Sequence, residues 1–208
     1  GENVEGVYPR RLVDKAFKDP GWAYISEKTS ADNMYVIGVD WDRYGAGTNI
    51  VVLEVFDPIY YSGSEYEGKI RVCYREETDR EEFSLTRAVD RIVQLNTSFG
   101  LKHIYVDKGF GEVQVELLHK YGIEHPSTGL QTKVKGVSFS ETIEIRDPYN
   151  MQNQKKDIKP HMVDTLLQML EKETIIFPSH DTELYNQLTA YVVARQTTVP
   201  APSSQGAV

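Results

Sequence analysis

Two aspartates close two apolar runs that lie far apart in the chain. Met-Tyr-Val-Ile-Gly-Val-Asp covers 34–40 and His-Ile-Tyr-Val-Asp covers 103–107. Each run reads as a buried strand that carries a carboxylate at its tip. In an open sheet, ligands gather beyond the carboxyl ends of the central strands, where the connections diverge. If these two strands are neighbours, Asp40 and Asp107 approach each other. At about 4 Å and an effective dielectric of 20, such a pair repels by roughly 4 kcal/mol. A divalent cation between them removes that cost. Hard oxygen ligands select Mg²⁺ or Mn²⁺ over zinc. Two such ions can bind one phosphodiester, activate a water and stabilise the leaving oxygen. Asp40 and Asp107 are therefore the candidate catalytic and metal-binding residues.

Asp42 lies two residues past Asp40 and shares its face if the strand continues. It is a candidate ligand, a partner of a ligand, or a loop acid. The plainer reading of a strand-end aspartate is a turn or cap residue. His161, just after Pro160 at a helix start, reads as structural, and His180 and Asp181 read as a helix cap. Lys108, Lys133, Lys135, Lys155, Lys156 and Lys159 lie around the segment that follows the second acidic strand. They are the candidate DNA-contacting cations, against the ordinary reading of lysines as a solvated face.

The elements that must hold these acids follow from periodicity. After Asp40, Gly45 and Gly47 mark a turn into a second strand at 48–56. A polar insert with Pro58, Gly63 and Gly68 precedes a third strand at 69–76. Three strands joined by turns predict an antiparallel meander. The insert at 58–68 is expected to be a hairpin that contacts DNA or a partner. Leu85, Val89, Ile92, Leu95 and Phe99 then recur at helical spacing, with Gly100 as the stop. Past Asp107, Gly109 and Gly111 predict a turn into a short helix that ends at Gly122. Residues 124–157 read as irregular, with strands at 133–137 and 142–145. A helix over 158–172 turns Met162, Leu166, Leu167 and Leu170 inward. A short strand at 175–178 follows. A last helix, capped by Ser179 or Asp181, carries Leu184, Leu188, Tyr191 and Val192. No internal repeat is visible.

This order predicts an α/β fold of the ribonuclease H-like kind: a mixed central sheet, antiparallel meander plus parallel strands, flanked by helices. The 208 residues amount to one large domain, or one domain plus an arm. A net charge of −8 argues against a protein that grips DNA by bulk electrostatics. A local basic rim around a metal-filled carboxylate site remains compatible with it. A single cysteine, Cys73, excludes an internal disulfide and a multi-cysteine zinc site and fits a reducing cytosol. No apolar run approaches a membrane span, and the first residues lack a signal-peptide pattern. Residues 197–208, rich in Pro, Ser and Gly, are expected to form a flexible tail.

At this level the residues resemble a known family. Tyr-Val-Ile-Gly-Val-Asp-Trp-Asp (35–42), then Gly-x-Gly-Thr-Asn and an apolar strand, is similar to the opening of the nuclease domain of tailed-phage terminase large subunits. His-Ile-Tyr-Val-Asp-Lys-Gly-Phe-Gly (103–111) resembles that family's second acidic motif. Lys-x-x-Met-Val-Asp-Thr-Leu-Leu-Gln-Met-Leu-Glu (159–171), Ile-Ile-Phe-Pro (175–178) and Leu-x-x-Gln-Leu-x-x-Tyr (184–191) resemble its C-terminal half. Gly-Val-Tyr-Pro-Arg-Arg (6–11) resembles the segment that follows the packaging ATPase domain. The resemblance covers most of the chain, and the order of the motifs is more specific than any one of them.

It implies a metal-dependent endonuclease that cuts concatemeric double-stranded viral DNA at the start and end of packaging. Asp40 and Asp107 would be its metal ligands. Residues 1–33 would be an arm or linker from an ATPase domain not contained in this sequence, and residues 34–196 the nuclease domain. The implied cofactors are two Mg²⁺ or Mn²⁺ ions. The implied partners are DNA, the portal protein, the small terminase subunit and the ATPase domain, in the host cytoplasm and away from membranes. The family also has a third acid near the start of a final helix past the Leu-x-x-Gln-Leu segment, and up to Val208 no residue matches it. No Gly-x-x-x-x-Gly-Lys-Ser/Thr stretch occurs. Three other readings stay open. One is a non-catalytic module docking on DNA or capsid. Another is a junction resolvase. The third is an actin-like ATPase or sugar kinase, which would need two copies of the core.

Overall fold

A computed structural model of the chain describes residues 6–17, 22–42, 47–82, 84–139, 141–146 and 149–192. The expected turn at Gly45 and the expected tail at 197–208 lie outside the described residues.

Strands β1 (Met34–Asp42), β2 (Gly47–Val55) and β3 (Ile70–Thr78) form the expected antiparallel meander. β1 alternates, with Tyr35, Ile37, Val39 and Trp41 buried while Met34, Gly38 and Asp40 are exposed. It therefore has two distinct faces, as the pleat requires. On its other edge β1 pairs in parallel with β4 (His103–Asp107), and β4 pairs in parallel with β5 (Val134–Val137). With β8 (Ile175–Ile176) beside β3, the six-stranded order is β5-β4-β1-β2-β3-β8. The result is the mixed sheet expected from the sequence.

Helix α2 (Leu85–Phe99) and helix α3 (Lys108–Glu124) cover one face. Val89, Ile92, Leu95 and Phe99 of α2, and Val115 and Leu118 of α3, pack with Ile37, Val39, Ile104 and Val106. Gly100 ends α2 at φ 59°, a left-handed conformation that side chains with a Cβ resist. The other face carries a second core built by α1 (Arg10–Ala16), α5 (Ile158–Glu171) and α6 (Thr182–Ala190). Leu12, Val13, Ala16 and Phe17 are buried there against Val72, Leu170, Ile175 and Phe177, so residues 8–17 are part of the folded body. Met162, expected inward on α5, is instead largely exposed, because α5 turns that side toward a groove rather than the sheet.

Four further expectations are revised. Gly109 and Gly111 do not form a turn but lie in the first turns of α3, a 17-residue helix. A Cβ at Gly111 would stand 2.4 Å from the Trp41 ring, so this glycine lets the helix lie directly on β1. Gly122 does not stop α3. A Cβ there would stand 2.3 Å from the Gln131 nitrogen of α4 (Leu130–Lys133), so this glycine too serves close approach. Residues 124–157 are more ordered than expected, with α4, β5 and a two-stranded hairpin of β6 (Thr142–Arg146) and β7 (Asn153–Asp157). The insert at 58–68 is a run of turns rather than a hairpin, because Tyr66 stacks on Phe56 at 4.9 Å and on Trp22 at 5.6 Å.

Two buried charge networks tie these layers together. Glu54 on β2 is 1% exposed and accepts from the Tyr35 hydroxyl at 2.5 Å and from Asn33 at 3.2 Å. Arg71 on β3 pairs with its other oxygen at 2.7 Å. Asp181 caps α6 by accepting from the Leu184 N–H at 3.0 Å. The same carboxylate takes a two-pronged contact from Arg75 on β3, at 2.8 and 2.9 Å, and a hydrogen bond from Tyr24. Burial alone would raise the Asp181 pKa. The hydrogen bonds from Arg75, Tyr24 and Leu184, with the charge of Arg75, override it and hold the carboxyl at about 2.

Candidate active site

β1 and β4 stand side by side, and their register continues through Gly38 opposite Tyr105 and Val39 opposite Val106. The next residue on each strand is an acid, Asp40 on β1 and Asp107 on β4. Parallel neighbours are about 4.8 Å apart, and residues at one level point to the same side. The two carboxylates therefore leave the same end of the sheet on the same face. The topology explains why ligands would come here. From β1 the chain turns back into β2 on one side, whereas from β4 it crosses through α3 to β5 on the other. This divergence is the switch point at which open sheets form a crevice.

The two acids are held differently. Asp107 is 7% exposed and is the N-cap of α3, one oxygen accepting from the Gly109 N–H at 2.9 Å. The bland reading of Asp107 as a cap is thus realised. It does not exclude a second role, because capping engages one carboxylate oxygen and fixes the orientation of the group. Asp40 is exposed and opens into a groove of about 470 Å³ between α5 and α6. Tyr8, Met162, Leu166 and Leu188 provide its apolar wall, and Lys159 and Gln187 its polar rim. Burial, with Tyr191 and Asp164 nearby, pushes the Tyr8 hydroxyl up to about 12, so that it remains a neutral donor. It donates to the Val163 carbonyl at 3.4 Å.

Asp42 is on β1, paired with Gly47, so the strand does continue past Asp40. The lysines scatter. Lys135 on β5 pairs with Tyr105, two residues before Asp107 and on its face. Lys108 follows Asp107 directly, and a Cβ at Gly136 would stand 3.3 Å from its stem. Lys159 faces the Asp40 groove, and Lys155 is exposed on β7. The side chain of Lys156 lies outside the described residues. Lys133 is not brought to the site. It precedes β5, at the opposite end of the strand from the level of Asp107, and donates to Asn96 at 3.1 Å. Sequence reasoning gave no site role to Tyr8 or Gln187. The one signal was helical spacing in α6, which assigned Leu184 and Leu188 to packing without showing that they border Asp40.

Two carboxylates at one level form a hard-oxygen donor set suited to Mg²⁺ or Mn²⁺. Among the described residues, no group of three or more His, Cys, Asp or Glu side chains is placed to hold a metal ion. Asp40 and Asp107 could supply two oxygen ligands to such a cation, with water or substrate oxygen in other positions. Among the described residues, no helix is long and apolar enough to cross a membrane.

No protein-family model matches the chain. No curated protein matches it either. Solved structures do. The large terminase nuclease from thermophilic phage G20c superposes with a TM-score of 0.65 at 16% identity, over 93% of this chain and 85% of that one. The same nuclease with bound zinc gives 0.58 at 17% identity, over 86% and 85%. The large terminase of bacteriophage HK97 gives 0.50 at 14% identity, over 88% of this chain and 36% of that one. The chain has the ribonuclease H-like fold of these large-terminase nuclease domains.

Proposed function

We propose that this chain is a divalent-metal-dependent endodeoxyribonuclease, the nuclease domain of a viral large terminase that cuts concatemeric double-stranded DNA during packaging. The observation that supports the proposal is the register of β1 and β4, in which the paired Val39 and Val106 are each followed by an acid, Asp40 and Asp107, at the switch point. Two like charges so arranged call for a shared cation. By the same reading the protein works with an ATPase domain, a portal and a small terminase subunit.

Asp40 and Asp107 would hold the metal. When bound, Mg²⁺ or Mn²⁺ supplies charge neutralisation at the phosphate and activation of water. The chain's own residues supply position. The Gly109 N–H fixes one Asp107 oxygen. Asp40 is set by the ladder of β1, between Val39 and Trp41, both of which are buried. Lys135, Lys108 and Lys159 lie near the pair on three different elements and would attract the DNA backbone. Among the described residues, no helix or ribbon carries a concentrated set of base-reading side chains, so cleavage by the isolated domain is expected to be poorly sequence-selective.

The test is cleavage of supercoiled plasmid in Mn²⁺ by the parent chain and by Asp40→Asn. The parent is expected to nick and linearise the plasmid, and Asp40→Asn to leave it intact. Equal cleavage by both refutes the assignment. DNA binding with no cleavage by the parent, also in a longer chain extended past Val208, would point to a docking module instead.

A further inference from the structure

Helix α3 carries more apolar surface than the sheet takes up. Its buried side holds Gln114, Val115 and Leu118, with Gly111 and Gly122 at the closest approaches. His119 marks the flank next to β5, with its Nε2 2.8 Å from the Val134 carbonyl. A second apolar row runs along another side of the helix. Phe110, Val113 and Leu117 recur at spacings of three and four, and Tyr121 continues them. At about 100° per residue, these four fall within an arc of roughly 80° and run about 16 Å along the axis.

This row is open to solvent. Val113 is 52% exposed, Phe110 53% and Leu117 37%. Tyr121 is half-buried and stacks on His125 at 4.1 Å. Local preference does not ask for such residues there. Val and Phe are poorer helix formers than Lys, Glu or Gln, and on a solvent face they gain no burial. Apolar residues at this spacing form the seam along which helices pair.

The charges beside the row are ordered. Glu112, Glu116 and Lys120 stand four apart on one flank, all exposed. Among the described residues, none of them makes an ion pair within the chain. Glu112 and Lys120 are equidistant from position 116. A second α3 laid antiparallel about that position brings Glu112 level with Lys120 of the second copy, and Lys120 level with its Glu112. A two-fold axis turns each flank toward its own equivalent, so both pairs form together. In the same register Val113 falls between Leu117 and Tyr121 of the second copy, and Leu117 between its Val113 and Leu117. The apolar rows therefore interleave as ridges into grooves. Glu116 meets its own equivalent, an unfavourable contact that Lys120, one turn away on the same helix, tempers.

We infer that α3 is a self-association surface, through which two copies of this chain pair antiparallel along Val113 and Leu117 and exchange Glu112–Lys120 contacts. A different protein would need a matching order of charges in its own sequence, whereas a second copy carries it by symmetry. One helix pair is at the small end of interfaces, so the dimer is expected to come apart on dilution. The surface uses neither Asp40 nor Asp107 and stands apart from the nuclease reading.

The test is sedimentation of the 208-residue chain over about a thousandfold range of concentration, with circular dichroism as the folding control. The parent is expected to pass from monomer to dimer. Val113→Gln combined with Leu117→Gln is expected to stay monomeric at every concentration, with parental helicity. Glu112→Lys and Lys120→Glu should each weaken dimerisation at least about tenfold, because each sets like charges opposite one another. The double variant Glu112→Lys with Lys120→Glu should return to within about threefold of the parent. Glu116→Gln should tighten the dimer about twofold. A parent that is monomeric throughout overturns the inference, and so does a dimer that survives Val113→Gln with Leu117→Gln. A double charge variant as weak as either single one overturns it too. So does a large loss of helicity in the Gln variant, which would place the row in the monomer's own packing.

Discussion

Asp181 and Asp107 are nearly equally buried, at 8% and 7% exposure, and both cap helices, yet their surroundings differ. Asp181 lies against Arg75, Tyr24 and a backbone N–H, so its charge is neutralised within the fold. Asp107 accepts one backbone N–H, makes no ion pair among the described residues, and has a second acid at its level on the neighbouring strand. The comparison separates two uses of a buried acid. Where the chain supplies the cation, the acid fastens elements together. Where a second acid stands at the same level, the pair is a candidate to hold a cation.

The largest effect that could break this contrast is on activity. Asp40→Asn and Asp107→Asn are each expected to lower Mn²⁺-dependent plasmid cleavage by at least about a hundredfold, comparable to losing a charge-stabilising group in other enzymes. Asparagine also caps helices, so Asp107→Asn should keep α3 intact, and circular dichroism should show parental helicity. The reverse pattern is expected of Asp181→Ala. It removes the two-pronged partner of Arg75, leaving Glu77 at 2.9 Å and Glu183 at 3.6 Å, and should cost about 1–3 kcal/mol in urea unfolding while Mn²⁺ affinity stays parental.

A metal titration sharpens the same distinction. At a hundred times its dissociation constant, Mn²⁺ should stabilise the parent by about 2.7 kcal/mol, read as a rise in unfolding temperature. Asp40→Asn should lose most of that gain. In EDTA it should unfold at the same temperature as the parent or slightly higher, because a repulsion is gone. A drop in EDTA would mean that Asp40 is an internal fastening like Asp181.

The pH response of Asp181 is smaller and has a definite sign. Its carboxyl is depressed from the ordinary value near 3.9 to about 2 in the folded chain. The stability it contributes is therefore complete above about pH 4 and is lost as pH falls toward about 2. Asp181→Asn should flatten the acid limb of a stability–pH curve between those limits. The mildest test concerns the helix that holds Asp107. Gly111→Ala should cost about 1–3 kcal/mol by pushing α3 off Trp41. Gly38→Ala on β1, where a Cβ meets nothing within 4 Å, should cost much less.

The part of the site carried by strands was legible from the residues alone. An apolar run ending in an acid specifies both the strand and where its carboxylate goes, so Asp40 and Asp107 needed no tertiary information beyond the pairing of two strands. The parts that depend on contact were not. Gly109, Gly111 and Gly122 read as breaks because glycine usually breaks, whereas two of them accept a neighbour at a distance no Cβ allows. Arg75 and Asp181 are 106 residues apart, and nothing in local spacing marks them as partners. Asp181 was legible only as a cap. The groove beside Asp40 escaped for the same reason: Tyr8 and Leu188 come to one wall from opposite ends of the described chain.

That meeting of ends has a consequence of its own. The Val7 N–H donates to the Tyr191 carbonyl at 3.0 Å, and the Tyr8 and Tyr191 rings stack at 5.8 Å. The first and last described segments meet at one clasp, next to the groove that receives Asp40. Closing the clasp with a short peptide and reopening the backbone in the turns at 58–68 should give a circularly permuted protein with the same sheet. A pull applied at Val7 and Tyr191 would load this clasp before it reached the strands that hold the acids.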